Sequence, residues 1–161
     1  MNKLLILLLV SALAGCGFYL RGTAELPFAS VYVPGATGGI ALDLARNIRA
    51  GTNVKLVDEA KQAEAILEFT GEARAKEILS LTGAGRVREF RLRYRVGFRV
   101  HDGKGNDYVP HNTLELTRDV TFNDADVLAK ESEEQLLFRD MQGDMVQQIM
   151  RRLSSAQKPG A

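Results

Sequence analysis

The sequence is poor in cysteine, histidine and long apolar runs: it has one cysteine, two histidines and a single apolar run near its start. A lone cysteine excludes a disulfide within the chain, so the fold must depend on its hydrophobic core. The apolar run, residues 4–13, is half as long as the roughly twenty residues that a membrane-spanning helix needs. The net charge is also close to zero. The sequence has 21 basic and 20 acidic residues, and the two numbers are equal when Lys3, which lies next to the apolar run, is left out. This balance argues against nucleic acid or a bulk anionic membrane as the main partner.

A short apolar run behind one lysine is typical of a secretory signal peptide, and Ala14 and Gly15 suit cleavage before Cys16. Residues 13–16, Leu-Ala-Gly-Cys, resemble the bacterial lipobox, whose cysteine becomes an acylated N-terminus. We therefore expect a signal peptide at 1–15, and S-diacylglycerol and N-acyl groups on Cys16. We expect no other cofactor. Two or more acyl chains hold a protein stably at a bilayer. The alternative is an ordinary signal followed by an incidental cysteine.

Residues 16–30 form the predicted lipidated N-terminus and tether. Gly17 follows the cysteine, where lipoproteins kept at the inner membrane usually carry aspartate. By resemblance to that sorting rule, we expect an outer-membrane location on the periplasmic side. The apolar residues 18–20 either lie in the membrane interface or fold back onto the domain.

The sequence predicts a single domain at residues 31–153. Short strands at 31–33 and 54–57 flank a helix at about 38–50, with Thr37 as its N-cap and Gly51 at its left-handed end. Strand, helix and strand in this order form a right-handed crossover, so the two strands should be parallel.

From Ala65 the apolar period changes to two, which predicts three long antiparallel strands ending near Phe122. The first strand needs a bulge or bend near Gly71 because of its length. Its predicted inward residues are Leu67, Phe69, Ala73 and Ala75; its predicted outward residues are Glu68, Thr70, Glu72, Arg74 and Lys76. The second strand alternates apolar residues with Arg91, Arg93, Arg95 and Arg99.

A helix capped by Asn123-Asp124 and reaching about Leu153 completes the domain, and residues 154–161 read as a polar, disordered tail. The predicted fold class is α/β (α+β), a two-layer sandwich. Its sheet is mixed but mostly antiparallel, and two main helices cover one face.

An enzymatic function has little support, and we expect no catalytic residue. His101 and His111 flank a glycine-rich loop without further ligands at metal-binding spacing, so we expect no metal site and assign both to solvated loop positions. Residues 34–39 resemble a phosphate cradle only faintly. They lack the Gly-Lys-Ser/Thr ending of a P-loop, and a turn with a helix cap is the better interpretation.

The four arginines of the second strand form an unusual stripe of planar cations, which suit phosphates or carboxylates. Arg86 and Arg88 extend the positive charge into the preceding loop. An acidic, multiply phosphorylated amphiphile is one interpretation. The other is neutralisation across the sheet by Glu68, Glu72, Glu115 and Asp119. Both hold if inner arginines are paired and end ones bind ligand. A solvent-exposed sheet face rich in Arg, Thr and Glu also suits the polar lumen of a transmembrane β-barrel.

Several segments resemble the lipopolysaccharide-assembly lipoprotein family LptE, also called RlpB. They are Cys16-Gly17-Phe18-Tyr19-Leu20-Arg21-Gly22, the Arg-x-Arg-Glu-Phe strand, Arg118 to Asn123, Val127-Leu128-Ala129-Lys130 and the C-terminal amphipathic helix. The glycine-rich loop at 82–86 and the short tail depart from the family.

The resemblance implies a non-enzymatic lipoprotein that plugs the outer-membrane barrel LptD, supports its assembly, and binds lipopolysaccharide during transport to the outer leaflet. Lys130 aligns with a basic position of the family linked to that binding. The other such position falls near Gly83, and Arg86 can substitute for it. We therefore predict lipopolysaccharide binding by Arg86, Arg88 and Lys130, and a barrel-facing surface at Arg91, Arg93, Arg95 and Arg99. The alternative is a free-standing outer-membrane lipoprotein that carries an apolar ligand or docks on envelope machinery.

Overall fold

A computed structural model describes residues 24–122 and 127–159. Its elements are β1 Ser30–Tyr32, α1 Gly39–Gly51, β2 Lys55–Val57, β3 Ala65–Leu81, β4 Val87–His101, β5 Asp107–Thr121 and α2 Val127–Ser154. A short 3₁₀ turn at Ala60–Gln62 joins β2 to β3. The predicted signal peptide, the lipid-bearing Cys16, most of the tether and the Asn123-Asp124 cap lie outside the described residues.

The five strands form one sheet in the order β2-β1-β3-β4-β5. β1 runs parallel to both β2 and β3, while β3, β4 and β5 are antiparallel neighbours. The crossover from β1 through α1 to β2 is therefore parallel, as predicted. The predicted mixed, mostly antiparallel sheet with two helices is confirmed.

One hydrophobic core lies between the sheet and the two helices. Amphipathic spacing explains the helix contributions, since buried residues recur every three or four positions. In α1 the buried residues are Ile40, Ala41, Leu44, Ala45 and Ile48; in α2 they include Met141, Met145, Ile149 and Leu153. From β4 the core receives Leu92, Tyr94, Val96, Phe98 and Val100, the alternation that the sequence predicts.

The ends of α1 differ from the prediction. Gly38 is the N-cap and makes no side-chain cap bond, so Thr37 does not cap the helix. Gly51 is the last helical residue and has no positive φ. The helix instead ends on Thr52, whose hydroxyl donates to the Ile48 carbonyl oxygen at 2.7 Å, while its backbone N–H reaches the same oxygen at 3.1 Å. A side-chain hydroxyl thus satisfies the free carbonyl, and no left-handed glycine is needed.

The bulge predicted near Gly71 is present, as a register shift between Phe69 and Gly71. It reverses the alternation of β3, because one extra residue moves every later side chain to the other face. The prediction that Ala73 and Ala75 point inward is therefore wrong. In the register of β3, the residues opposite the core side chains of β4 are Glu72, Arg74, Lys76 and Ile78, so these lie on the helix side.

Close packing across the bulge explains Gly97. A Cβ atom at this position would lie 2.6 Å from Thr70 Oγ1, which is itself 2.9 Å from His111 Nε2. We expect Gly97→Ala to lower the free energy of unfolding by about 1 kcal/mol, because Thr70 must rotate away from His111. In a Thr70→Ala background the same change should be neutral or stabilising, since alanine loses less backbone entropy than glycine on folding. Urea denaturation of the four variants tests this, and equal effects in both backgrounds would contradict it.

The C-terminal residues contact the domain. Ala156 packs against the core, and Lys158 Nζ lies 3.0 Å from Glu64 Oε1. This ion pair raises the pKa of Lys158, chiefly through its hydrogen bond to Glu64. The tail predicted to be disordered is thus packed on the domain at these two residues.

Candidate functional site: the arginine face and the hairpin end

Arg91, Arg93, Arg95 and Arg99 lie together on the sheet surface that the helices do not cover, and we call this surface the arginine face. Alternation along β4 places them there, opposite the buried residues. Each arginine lies next to a carboxylate of a neighbouring strand. The closest pairs are Arg91–Asp119 at 2.8 Å, Arg93–Glu77 at 2.9 Å, Arg95–Glu115 at 2.6 Å and Arg99–Glu68 at 2.6 Å.

The predicted neutralisation across the sheet is thus present, with one substitution. Glu72 lies on the helix side, where it accepts a hydrogen bond from the Tyr94 hydroxyl at 2.8 Å, and Glu77 takes its place beside the arginines. Four positive and four negative side chains leave the arginine face without net charge. It is suited to contact a polar surface over its whole length rather than to attract a free polyanion.

Two of the ion pairs favour the charged form of their carboxylates. The hydrogen bond from Arg91 lowers the pKa of Asp119, and the hydrogen bond from Arg95 lowers the pKa of Glu115. The stabilisation is therefore present above the ordinary carboxyl pKa and is lost as the pH falls through the lower folded-state pKa.

We expect the free energy of unfolding to decline as the pH falls below the ordinary carboxyl pKa of about 4, and to decline less steeply in an Asp119→Asn, Glu115→Gln variant. Urea titrations at a series of pH values measure this slope. The matched control is Asp140→Asn with Glu59→Gln, two exposed carboxylates away from the arginine face. An unchanged slope in the first variant would rule out this contribution.

The second surface is the end of the domain formed by the β3–β4 turn, residues 82–86, and the start of α2; we call it the hairpin end. Thr82 organises the turn, since its hydroxyl accepts the Arg86 N–H at 3.2 Å and its own N–H donates to the Arg86 carbonyl oxygen at 2.7 Å. Gly85 has φ +76°, a conformation that side chains disfavour. These contacts fix the backbone of Arg86 at the base of the turn, opposite Thr82.

Arg88 and Lys130 lie at the same end. The Arg88 side chain is 61 % exposed, and its nearest carboxylate is Glu89 at 3.4 Å. The backbone N–H of Phe122 donates to the Arg88 carbonyl oxygen at 2.8 Å, and Phe122 lines a cleft together with Lys130. Lys130 itself pairs with Glu133 at 2.7 Å, one helical turn further along α2. The structure therefore brings Arg86, Arg88 and Lys130 to one end of the domain.

The cleft between the sheet and α2 is largely apolar and nearly filled, with about 10 Å³ of free volume. Phe90 and Phe122 meet edge to face within it, with centroids 5.2 Å apart. Lys76 reaches its rim, 4.3 Å from the Phe90 centroid and 2.6 Å from Glu134. Simple alternation along β3 predicts Lys76 on the opposite face, but the bulge at Thr70 moves it to the helix side.

The remaining candidates make structural contacts. His101 lies at the end of β4 and His111 within β5, so neither is a loop residue as predicted. His101 Nδ1 accepts the Gly103 N–H at 3.0 Å. In the described ranges, three or more histidine, cysteine, aspartate or glutamate side chains do not gather as a metal site would require. Neither α1 nor α2 combines the length and apolar character that crossing a membrane demands.

Comparison with known proteins gives a consistent result. Residues 27–153 match the family described as "LptE: Lipopolysaccharide-assembly". The chain is 32 % identical over 154 residues to the LPS-assembly lipoprotein LptE of Yersinia pestis, covering 93 % of this chain and 73 % of that protein. It is 26 % identical over 153 residues to the protein of the same name from Photorhabdus laumondii, covering 93 % and 83 %.

Solved structures agree with this match. Lipoprotein B from Nitrosomonas europaea superposes with a TM-score of 0.74 at 45 % identity, covering 86 % of this chain and 91 % of that one. Rare lipoprotein B from Shewanella oneidensis superposes with a TM-score of 0.67 at 26 % identity, covering 78 % and 92 %. Both neighbours are lipoproteins with the same α/β arrangement.

Proposed function

The chain belongs to the LptE family of lipopolysaccharide-assembly proteins, and from that premise we propose that it is a lipid-anchored plug of the outer-membrane barrel LptD that binds lipopolysaccharide. Its role as a lipoprotein of lipopolysaccharide assembly follows from the family. The barrel partner, the direct ligand and the outer-membrane location are the proposal. The observation that carries it is the match over residues 27–153, which includes the arginine face and the hairpin end.

The dimensions of the arginine face support a position inside a barrel. β4 and β5 have 15 residues each, which corresponds to about 50 Å of extended chain. The apolar band of an outer-membrane barrel is about 25 Å tall, and its interior is polar. The arginine face is long enough to line such a lumen from one end to the other.

The charge pairing on the arginine face also supports this position. Burying an unpaired charge against another protein costs several kcal/mol. Here each arginine already has a carboxylate partner within 3 Å, so a polar wall can cover the surface without leaving a charge uncompensated. We propose Arg91, Arg93, Arg95 and Arg99 as barrel-facing residues on this ground.

The hairpin end supports the ligand. Lipopolysaccharide carries phosphates next to its acyl chains, and guanidinium and ammonium groups bind phosphate through charge-assisted hydrogen bonds. Arg86, Arg88 and Lys130 supply three cations beside an apolar cleft. Neutralising lipid phosphates would weaken the divalent-cation bridges that hold lipopolysaccharide aggregates together. No bond is made or broken in this role, and we propose that the chain is not an enzyme.

Solubilising native outer membranes and purifying the full-length chain tests the anchor and the partner together. We expect one barrel protein to co-purify stoichiometrically, and the mature N-terminal fragment to begin at Cys16 with a mass that includes a diacylglycerol and a third acyl group. A carrier working alone would instead be recovered without a barrel. An unmodified N-terminus would refute the lipid anchor and leave the barrel result to be judged separately.

A further inference from the structure

The hairpin end carries a cluster of exposed apolar side chains that the basic residues do not explain. Within the described part of the chain, the large apolar residues with substantial exposure are Ile78 at 59 %, Leu79 at 39 %, Leu81 at 55 % and Leu136 at 56 %. Single exposed leucines such as Leu136 are ordinary. Three within four residues of one strand end are not, and we call Ile78, Leu79 and Leu81 the apolar tip.

Two irregularities of β3 produce the apolar tip. The register shifts between Ile78 and Ser80 and again between Ser80 and Leu81. Leu79 has no partner position in β4, so apolar side chains leave this part of the hairpin in more than one direction. Packing on the domain cannot cover all of them at once.

The apolar tip continues into the cleft. Ile78 lies opposite Phe90 in the sheet register, and Phe90 packs edge-on against Phe122. An apolar strip therefore runs from the exposed apex to the start of α2. The cleft itself has only about 10 Å³ of free volume, far below the 300 to 1,000 Å³ of ordinary ligand pockets, so an acyl chain would lie against the exposed strip and not inside the cleft.

Basic side chains surround this strip. Lys76 lies over the Phe90 ring and Lys130 also lines the cleft, each paired with a glutamate of α2, while Arg86 and Arg88 follow the turn along the chain. The apolar tip lies next to several basic side chains. This arrangement complements an amphiphile in which phosphates lie directly above fatty acyl chains. Phosphates alone would leave the apolar tip exposed to water, and a neutral lipid would offer no anion to the cations beside it.

We propose that the apolar tip inserts among the acyl chains of lipopolysaccharide while the surrounding cations contact its phosphates. This inference rests on the proposed ligand and adds how the domain loosens an aggregate: it separates acyl chains as well as neutralising phosphates. Transfer of exposed apolar surface from water into hydrocarbon lowers the free energy, and this drives the insertion.

The chain has no tryptophan, so a single introduced tryptophan reports its own surroundings. We would compare full mature chains carrying Leu81→Trp at the tip and Leu136→Trp on the outer side of α2, two positions of nearly equal exposure. With purified lipopolysaccharide, the emission of the Leu81→Trp variant should shift to the blue and be quenched by acyl-chain spin labels. With deacylated lipopolysaccharide, which keeps its phosphates, no shift is expected. The Leu136→Trp variant should not respond to either.

A second comparison measures affinity. Ile78→Ser, Leu79→Ser and Leu81→Ser together should weaken binding of intact lipopolysaccharide at least tenfold and leave binding of the deacylated form unchanged. Leu136→Ser is the matched control and should bind as wild type. Equal binding by the triple variant and wild type would overturn the insertion while leaving the proposed ligand intact. A blue shift on phosphatidylglycerol vesicles but not on lipopolysaccharide would also overturn it. No binding of lipopolysaccharide by the wild type would refute the proposed ligand itself.

Discussion

Replacing Arg86, Arg88 and Lys130 together by aspartate should weaken lipopolysaccharide binding about tenfold to a hundredfold without unfolding the domain. The three residues lie at the hairpin end, where Arg88 is 61 % exposed and Lys130 lines the apolar cleft. Each reversal removes a favourable contact with phosphate and adds a repulsive one. Exposed charge pairs contribute about 0.2 to 1 kcal/mol each, so three lost contacts amount to about 0.6 to 3 kcal/mol, and the repulsion adds to this loss.

Equilibrium binding by the purified full mature chain measures this effect, and circular dichroism checks the fold. The matched control changes the same net charge elsewhere, with Arg49→Asp, Lys61→Asp and Lys104→Asp at exposed positions away from the hairpin end. The control should bind within a few-fold of wild type. The difference between the two variants should shrink in high salt, because exposed charges are screened within about 10 Å at 0.1 M ionic strength. Equal losses in both variants would show that only net charge matters and would remove these three residues as a site.

The fold was predictable wherever one simple period governed a segment. In β4 six apolar residues alternate with charged ones, and the structure buries five of the six as expected. In α1 a spacing of three and four residues identified the buried face correctly. These patterns hold because one face of each element meets the core and the other meets water.

Prediction failed where one residue changes the geometry. The sequence predicts the bulge before Gly71, but alternation alone does not predict which faces Ala73 and Lys76 occupy. A single extra residue moves every later side chain to the other face of the sheet. The sequence offers two ways to end α1: a left-handed glycine at Gly51 or a hydrogen bond from the Thr52 hydroxyl. Only the backbone conformation decides between them, and here the Thr52 hydroxyl donates to the Ile48 carbonyl oxygen.

The candidate site was predicted in its parts but not in its arrangement. The sequence suggests pairing of the arginines with Glu68, Glu115 and Asp119, and the register of β3, β4 and β5 brings these partners together. The apolar tip was missed, although the sequence contains a signal for it. Ile78-Leu79 breaks the alternation of its strand directly before a glycine-rich turn, where extra apolar residues have no core to enter.

If the barrel wall covers the arginine face, cross-linking to the barrel should depend strongly on the position of the reactive group. Thr117 lies on the arginine face, opposite Arg93, and is exposed in the isolated domain. Asp140 is also exposed but lies on α2, on the other layer of the sandwich. If the arginine face lines the lumen, a reactive group at Thr117 lies in contact with the barrel protein.

The most direct test places a photoreactive amino acid at Thr117 or at Asp140 of the full-length chain in living cells and identifies the cross-linked protein by mass spectrometry. If the arginine face meets the barrel wall, we expect an abundant adduct between the Thr117 variant and the LptD barrel. Its yield should be several-fold higher than that of any adduct from the Asp140 variant. A Thr117 variant that remains free of barrel adducts, or adducts formed only from Asp140, would contradict the claim that the arginine face meets the barrel wall.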